Sequence, residues 1–430
     1  LLVPSVKIVR FFFGRGPLRL AVIVQKYGGS SVADISRIRT VAERVIRAKK
    51  DGYDVVVVVS AMGETTDQLT AQAHELTPMP HPRELDLLLT AGERIAMSLL
   101  AIAINAQGYQ AASYTGSQAG IITDTRHGKA QIVDIRPGRI REALERGDVV
   151  IVAGFQGVST AFDVTTLGRG GSDTTAAALA AALGAESCEI YTDVPGVFTA
   201  DPHIVPAARK LHAVSYEEML EMAATGARVL ELRSVEYARR SKIRLHVRSA
   251  FSDEQGTWIA EEDERMERAI IAGVTHDEAE AKVTVRDIPD RPGVVAAIFQ
   301  ALAAEGVNVD MIVQNVSKDG KTDVSFTLAK LDLLHARGVI ERVGDEVKAE
   351  GFSTDDEIAK VSLVGAGMKS QPGVAADVFS ALAEEGINVE MISTSPIRIS
   401  CVVRASDAVR AARALHDRFS LAEDAVLREH

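Results

Sequence analysis

The 430-residue sequence has only two cysteines, Cys188 and Cys401, a single tryptophan and 5% aromatic residues. Two distant thiols in apolar, strand-like runs give neither a disulfide framework nor a metal-ligand cluster, and they fit a reducing cytoplasm. An excess of positive charge is missing too. With a net charge of −11 there is no electrostatic footprint for nucleic acid, although a local cationic pocket remains open. The longest apolar stretch, Leu85 to Ile104, is interrupted by Glu93 and Arg94, so it reads as a buried helix and not as a membrane span. The opening LLVPSVKIVRFFFGRGPLRL lacks an initiator Met and a continuous apolar core, which makes it a poor signal peptide; residues 1–18 form an extension of unassigned role.

What is present is the composition of a globular chain, 47% hydrophobic and 25% charged, too long for one core and therefore expected to divide into two or three domains. From Leu20 an apolar strand is followed by Ile35, Ile38, Val41, Val45 and Ile46 at helical spacing. The unbroken β-branched run DVVVVVS (54–60) marks a strand covered on both faces of a parallel sheet. Helices over 84–107 and 173–184 alternate with strands over 148–153 and 188–192, which predicts a three-layer α/β domain to about residue 250. A charged, apolar-poor linker follows at 252–268. Beyond it the segments 282–312 and 360–392 repeat a strand, a Pro-Gly-Val turn into a helix, a Gly stop and an Asn-Val-acid-Met-Ile strand. Pro292, Gly306, Asn308 and Met311 match Pro372, Gly386, Asn388 and Met391.

Four segments carry chemistry. KYGGSS (26–31) ends a strand in paired glycines and hydroxyls, which lets the backbone approach a phosphate that Lys26 would help neutralise; a plain capped turn is the other reading. TTLGRGGSDTT (165–175) sets Arg169 among three glycines ahead of a helix, with a guanidinium fork suited to a carboxylate. Glu93 and Arg94 lie in an apolar helix, where they either neutralise one another or leave Glu93 to receive a ligand ammonium. YTDVPGVFTADPH (191–203) forms successive turns after a strand, at the sheet edge where ligands of open α/β folds bind. Gly320-Lys321-Thr322 ends like a phosphate-binding loop, but Asn315 stands where that motif needs its first glycine, so a hairpin turn is expected.

Taken with SAMGETTDQL (60–69), LLTAGER and VAGFQG (152–157), these motifs resemble the aspartate kinase branch of the amino acid kinase family, and the repeated units resemble ACT domains of the lysine- and threonine-regulated type. The resemblance implies a three-layer α/β kinase domain over 19–251 with a mainly parallel sheet, then two α+β ferredoxin-like ACT domains over 269–350 and 351–430. It implies ATP and Mg²⁺ as cofactors and phosphoryl transfer to L-aspartate. Lys26, Glu93, Arg169 and Asp173 would be catalytic. Lys26, Tyr27, Gly28, Gly29, Ser30, Ser60, Ser172, Thr192, Asp193, the run Val197, Phe198, Thr199, Ala200, Asp201 and Pro202, and Arg228 would hold the nucleotide. Thr65, Thr66, Glu93, Phe155, Arg169, Gly170, Gly171, Ser172 and Asp173 would hold aspartate.

In the ACT units the resemblance places Asp290, Asn308, Asp310, Gln314 and Asn388 around lysine and threonine, with a homo-oligomer forming through those units and a shorter regulatory subunit starting at Met266. No nucleic acid or membrane partner is expected. Pro195, Phe198, His203 and Pro396 depart from the family pattern, and Arg228 stands where Lys is common. A kinase of another acidic metabolite, or an amino-acid sensor without catalysis, are the competing readings.

Overall fold

A computed structural model describes residues 20–261, 270–315 and 320–423. The extension at 1–18 and Met266 lie outside the described residues. The amino-terminal region is organised by an eight-stranded sheet in the order Ala213–Ser215, Thr257–Ala260, Leu245–Ser249, Ser187–Thr192, Ala21–Tyr27, Tyr53–Val59, Val149–Ala153, Ala111–Tyr114, so that Thr257–Ala260, expected within the linker at 252–268, is instead a strand of this domain. All neighbours run parallel except Leu245–Ser249 against Thr257–Ala260. The valine run explains its own burial. Successive side chains point to opposite faces, so Val55, Val57 and Val59 pack on helices Ile35–Lys50 and Ala91–Asn105, while Val56 and Val58 pack on helix Gly171–Leu183 and its neighbours. The apolar stretch 85–104 becomes two helices, Pro82–Leu89 and Ala91–Asn105, and the second buries Ala96, Met97, Leu100 and Ile104 against the sheet.

A second, four-stranded sheet of the amino-terminal region, ordered Ile132–Ile135, Ile121–Thr123, Gln156–Ser159, Val164–Thr166, has strands of three or four residues. Such short strands leave little periodicity to read in a sequence.

Each unit of the repeat is a four-stranded sheet with two helices, but the strands do not pair in chain order. The first sheet runs Ile312–Gln314, Lys321–Ala329, Glu280–Pro289, Gly351–Asp355; the second runs Gly273–Asp277, Ile358–Val364, Arg398–Arg404, Met391–Ser395. A division at residue 350 cuts this pairing, since Gly351–Asp355 completes the first sheet and Gly273–Asp277 the second. The first unit is thus inserted within the second. The repeat locates the common strand-helix-strand cores but carries no information on which sheet a flanking strand joins. Ile312–Gln314 and Lys321–Ala329 are antiparallel, as the expected hairpin requires, and Gly320 has φ +71°; residues 316–319 of the turn lie outside the described residues.

The two units meet through reciprocal ion pairs between repeat-equivalent residues. Lys360 of the second unit lies 2.8 Å from Glu280 and 2.5 Å from Asp310 of the first, and Lys282 of the first contacts Glu390 of the second. Lys360 is 1% exposed, and its carboxylate partners outweigh its desolvation and raise its ammonium pKa. Removing one member of a buried pair leaves an uncompensated charge, so Lys360→Ala is expected to destabilise the repeat region by about 3 kcal/mol, with partial recovery when Glu280→Gln is added. A loss below about 0.5 kcal/mol in urea denaturation would show the pair to be solvated.

Candidate active site

Because the central strands are parallel, their carboxyl ends lie on one edge, and the glycine-rich turns that follow them converge there. Ser60 N donates to Tyr27 O at 3.1 Å, Gly63 N to Gly29 O at 3.1 Å and Gly28 N to Tyr191 O at 3.3 Å, so three loops are laced by their backbones. Gly29 is required for this approach: a Cβ would fall 2.9 Å from Ala61 O and 3.0 Å from Gly63 O. Lys26 Nζ lies 2.6 Å from Asp173 Oδ1, with both side chains about nine-tenths buried. Asp173 occupies the first turn of Gly171–Leu183, which starts after Gly170 at φ +66°. The ion pair therefore ties the first glycine loop to the second.

Glu93, in the first turn of its helix and 3% exposed, accepts a hydrogen bond from Ala61 N at 3.2 Å through Oε1. Its Oε2 is buried with no hydrogen-bond partner among the described residues. Arg94 forms no ion pair with it, which removes the self-neutralising reading. Desolvation pushes the Glu93 carboxyl up to about 7 despite the Ala61 N–H. Thr65 and Thr66 open the helix that follows the Ser60–Glu64 loop. Phe155 is held at φ +68°, a strained conformation for a bulky residue, with its N–H donated to Thr175 Oγ1 at 3.2 Å. Gly171 passes beneath it, where a Cβ would lie 3.0 Å from the Phe155 ring. Arg169 is exposed and makes no hydrogen bond or ion pair among the described residues.

A cavity of about 510 Å³ opens beside this edge, lined by Thr192, Asp193, Val197, Phe198, Ala200 and Asp201, with Pro202, His203 and Arg228 beyond them. Two expected nucleotide residues turn their side chains away from ligand. Tyr27 is buried, stacked on Tyr191 at 4.7 Å and donating to Gln25 Oε1, because its side chain leaves the strand on the face opposite Lys26. Thr199 Oγ1 is 3.0 Å from His416 Nε2 of the second repeat unit and accepts from Arg209 N. Only their backbones are available to a nucleotide.

Two buried acids were not evident in the sequence. Asp86 accepts from His127 Nδ1, Gly128 N and Thr166 Oγ1, and so pins the strand that leads into the Arg169 loop. Burial alone would raise the Glu189 carboxyl, but His246, Arg248, Gln25 and Tyr191 hold it at about 2, fixing the strand that ends at Thr192. A lone acid inside each apolar run was the available signal.

The amino acid kinase family model matches residues 21–249, and ACT domain models match residues 283–346 and 361–419. An aspartokinase of Mycolicibacterium smegmatis is 58% identical over 94% of this chain and 97% of its own length. The chain belongs to the aspartokinase branch of the amino acid kinase family. The Corynebacterium glutamicum aspartokinase is 55% identical, again over 94% and 97%. Among solved structures, E. coli aspartokinase III in complex with aspartate and ADP has a TM-score of 0.80 at 26% identity, covering 92% of this chain and 99% of that one. The same enzyme in complex with lysine and aspartate has a TM-score of 0.71, covering 93% and 99%. As a member of this family the chain is a kinase that uses ATP.

Glu93 makes a measurable demand on stability. Its carboxyl is raised from 4.5 to about 7, so the folded state binds the extra proton between those values and the ligand-free protein loses stability as pH rises through them. Glu93→Gln is expected to remove most of a fall of about 3 kcal/mol between pH 5 and pH 8 in denaturant titrations. Identical pH profiles for the two proteins would refute the buried-carboxylate assignment.

Proposed function

We propose that the protein transfers the γ-phosphoryl group of ATP to the β-carboxylate of L-aspartate, giving 4-phospho-L-aspartate, in the cytoplasm, as the first step toward lysine, threonine and methionine. The observation that carries this reading is Glu93. A buried carboxylate with one unpartnered oxygen, beside the loops of a kinase site, is a receptor for a cation, and an amino acid brings one as its α-ammonium. An N-acylated acceptor would leave Glu93 buried and unpaired. Arg169, exposed and engaged in no hydrogen bond or ion pair among the described residues, would clamp the α-carboxylate through two parallel hydrogen bonds and leave the β-carboxylate to face the nucleotide. That carboxylate is already ionised at neutral pH, so the transfer needs no general base.

Charge is the remaining obstacle, since both reactants are anionic. Lys26, oriented by Asp173, supplies a fixed cation at the transferring group, and the start of Gly171–Leu183 adds its dipole. Mg²⁺, when bound, neutralises the β- and γ-phosphates. Asp193 and Asp201, carboxylates that line the cavity, would hold this ion on the nucleotide.

Lysine and threonine are proposed as inhibitors acting at the ACT units, a reading supported by the lysine complex of the E. coli relative. Asp290, Asn308, Gln314 and Asn388 are all exposed, so they remain free to meet an effector, whereas Asp310 is already shared with Lys360. The edge strands Ile312–Gln314 and Met391–Ser395 carry the exposed Ile312 and Ile392 and invite pairing with a second chain. A regulatory subunit starting at Met266 would retain Gly273–Asp277, and with it both complete sheets.

Coupled assay of ADP release with aspartate, glutamate and N-acetylated acceptors tests the substrate; turnover with glutamate and none with aspartate would overturn the proposal. Arg169→Lys is expected to raise KM for aspartate at least about tenfold with little change in KM for ATP, because lysine cannot reproduce the guanidinium fork. Asp290→Ala and Gln314→Ala should relieve inhibition by lysine and threonine while uninhibited kcat stays within about twofold. Purely aspartate-competitive inhibition, untouched by both changes, would rule out the ACT site.

A further inference from the structure

One wall of the nucleotide cavity comes from the regulatory region. Gly273–Asp277 is the edge strand of the second ACT sheet, yet its other side is fastened to the kinase region. Val274 N donates to Thr199 O at 2.7 Å, and Thr275 Oγ1 lies 2.6 Å from Thr225 Oγ1. Gly226 passes so close to His276 O that no Cβ fits, and a Cβ on Gly273 would fall 2.7 Å from Thr199 O. Strand and nucleotide loop therefore form one continuous surface. Val274, Thr275, His276 and Glu278 line the same cavity as Thr192, Asp193 and Asp201.

Glu278 occupies the turn between the two regulatory units. That turn is held on both sides, by Ala279 N donating to Asp277 Oδ1 at 2.9 Å and Lys330 N donating to Ala279 O at 2.8 Å. The Glu278 side chain is exposed and has no hydrogen-bond or ion-pair partner among the described residues. Lys26, Gly28 and Asp173, which define the phosphoryl end, do not line this cavity. A carboxylate would repel phosphates but accepts hydrogen bonds from hydroxyl groups, the role acidic side chains take toward ribose in other nucleotide sites. We propose that Glu278 binds a ribose hydroxyl of the nucleotide, so that the regulatory region supplies part of the nucleotide site.

The assignment rests on reading this cavity as the ATP site, and calorimetry separates the two. ADP, 2′-deoxy-ADP and 3′-deoxy-ADP are titrated into the full chain and into Glu278→Ala, whose surface position makes misfolding no concern. Expected is about tenfold weaker ADP binding in the variant, similar weakening of one deoxy analogue in the wild type, and no further loss when variant and that analogue are combined. KM for aspartate should stay unchanged. Wild-type ADP affinity in the variant, or the same discrimination between ADP and both deoxy analogues, would overturn the role of Glu278. Strong ADP binding by the wild type that survives Ala227→Trp, which would fill the cavity, would instead overturn the location of the nucleotide itself.

Discussion

The Lys26–Asp173 ion pair holds together the sheet edge where the two glycine-rich loops meet. One partner stands at the end of the central strand and the other in the first turn of the helix after the second glycine loop, so the pair sets the separation of the two loops. Its burial strengthens the attraction and keeps the ammonium oriented. Around it the backbone does most of the remaining work: Gly28, Gly29, Ser60 and Gly63 are joined by main-chain hydrogen bonds, and side chains are confined to a few positions. Glu93 differs from this pair. It is buried without a cation, and desolvation raises its pKa.

Much of this was legible in the sequence because it rests on local rules. An unbroken valine run can only be a strand covered on both sides, and paired glycines between a strand and a helix announce a close backbone approach. The internal repeat exposed two related units without any structure. Period-two alternation at Lys26-Tyr27 sets the tyrosine on the face opposite the lysine. What was hidden depends on partners distant in the chain. Nothing in VFTADP tells that Thr199 faces His416, and nothing in GVTHD tells which of two similar sheets it will join.

The regulatory pair has an internal symmetry written in charge. Lys282 and Lys360 are equivalent in the repeat, as are Asp310 and Glu390, and each lysine reaches the acid of the other unit. The Asp310 position that an effector's ammonium would seek is thus also a joint between units. Ligand and joint would share one carboxylate, which gives binding a direct route to the packing of the two sheets.

The insertion of one unit inside the other also bears on the order of folding. Gly273–Asp277 leaves the ribosome before the whole first unit, and its partner Ile358–Val364 comes after it. Left as an open chain, the intervening segment would make this pairing a long-range closure, with the entropy cost that such closures carry. The first unit shortens the path once folded, because Lys282 and Asp355, near its two ends, become neighbours on adjacent strands. The second sheet would then close across a connection no longer than a tight loop. This connectivity favours assembly from the inside outward, with the first unit acting as a template for the second and, through the same strand, for one wall of the cavity.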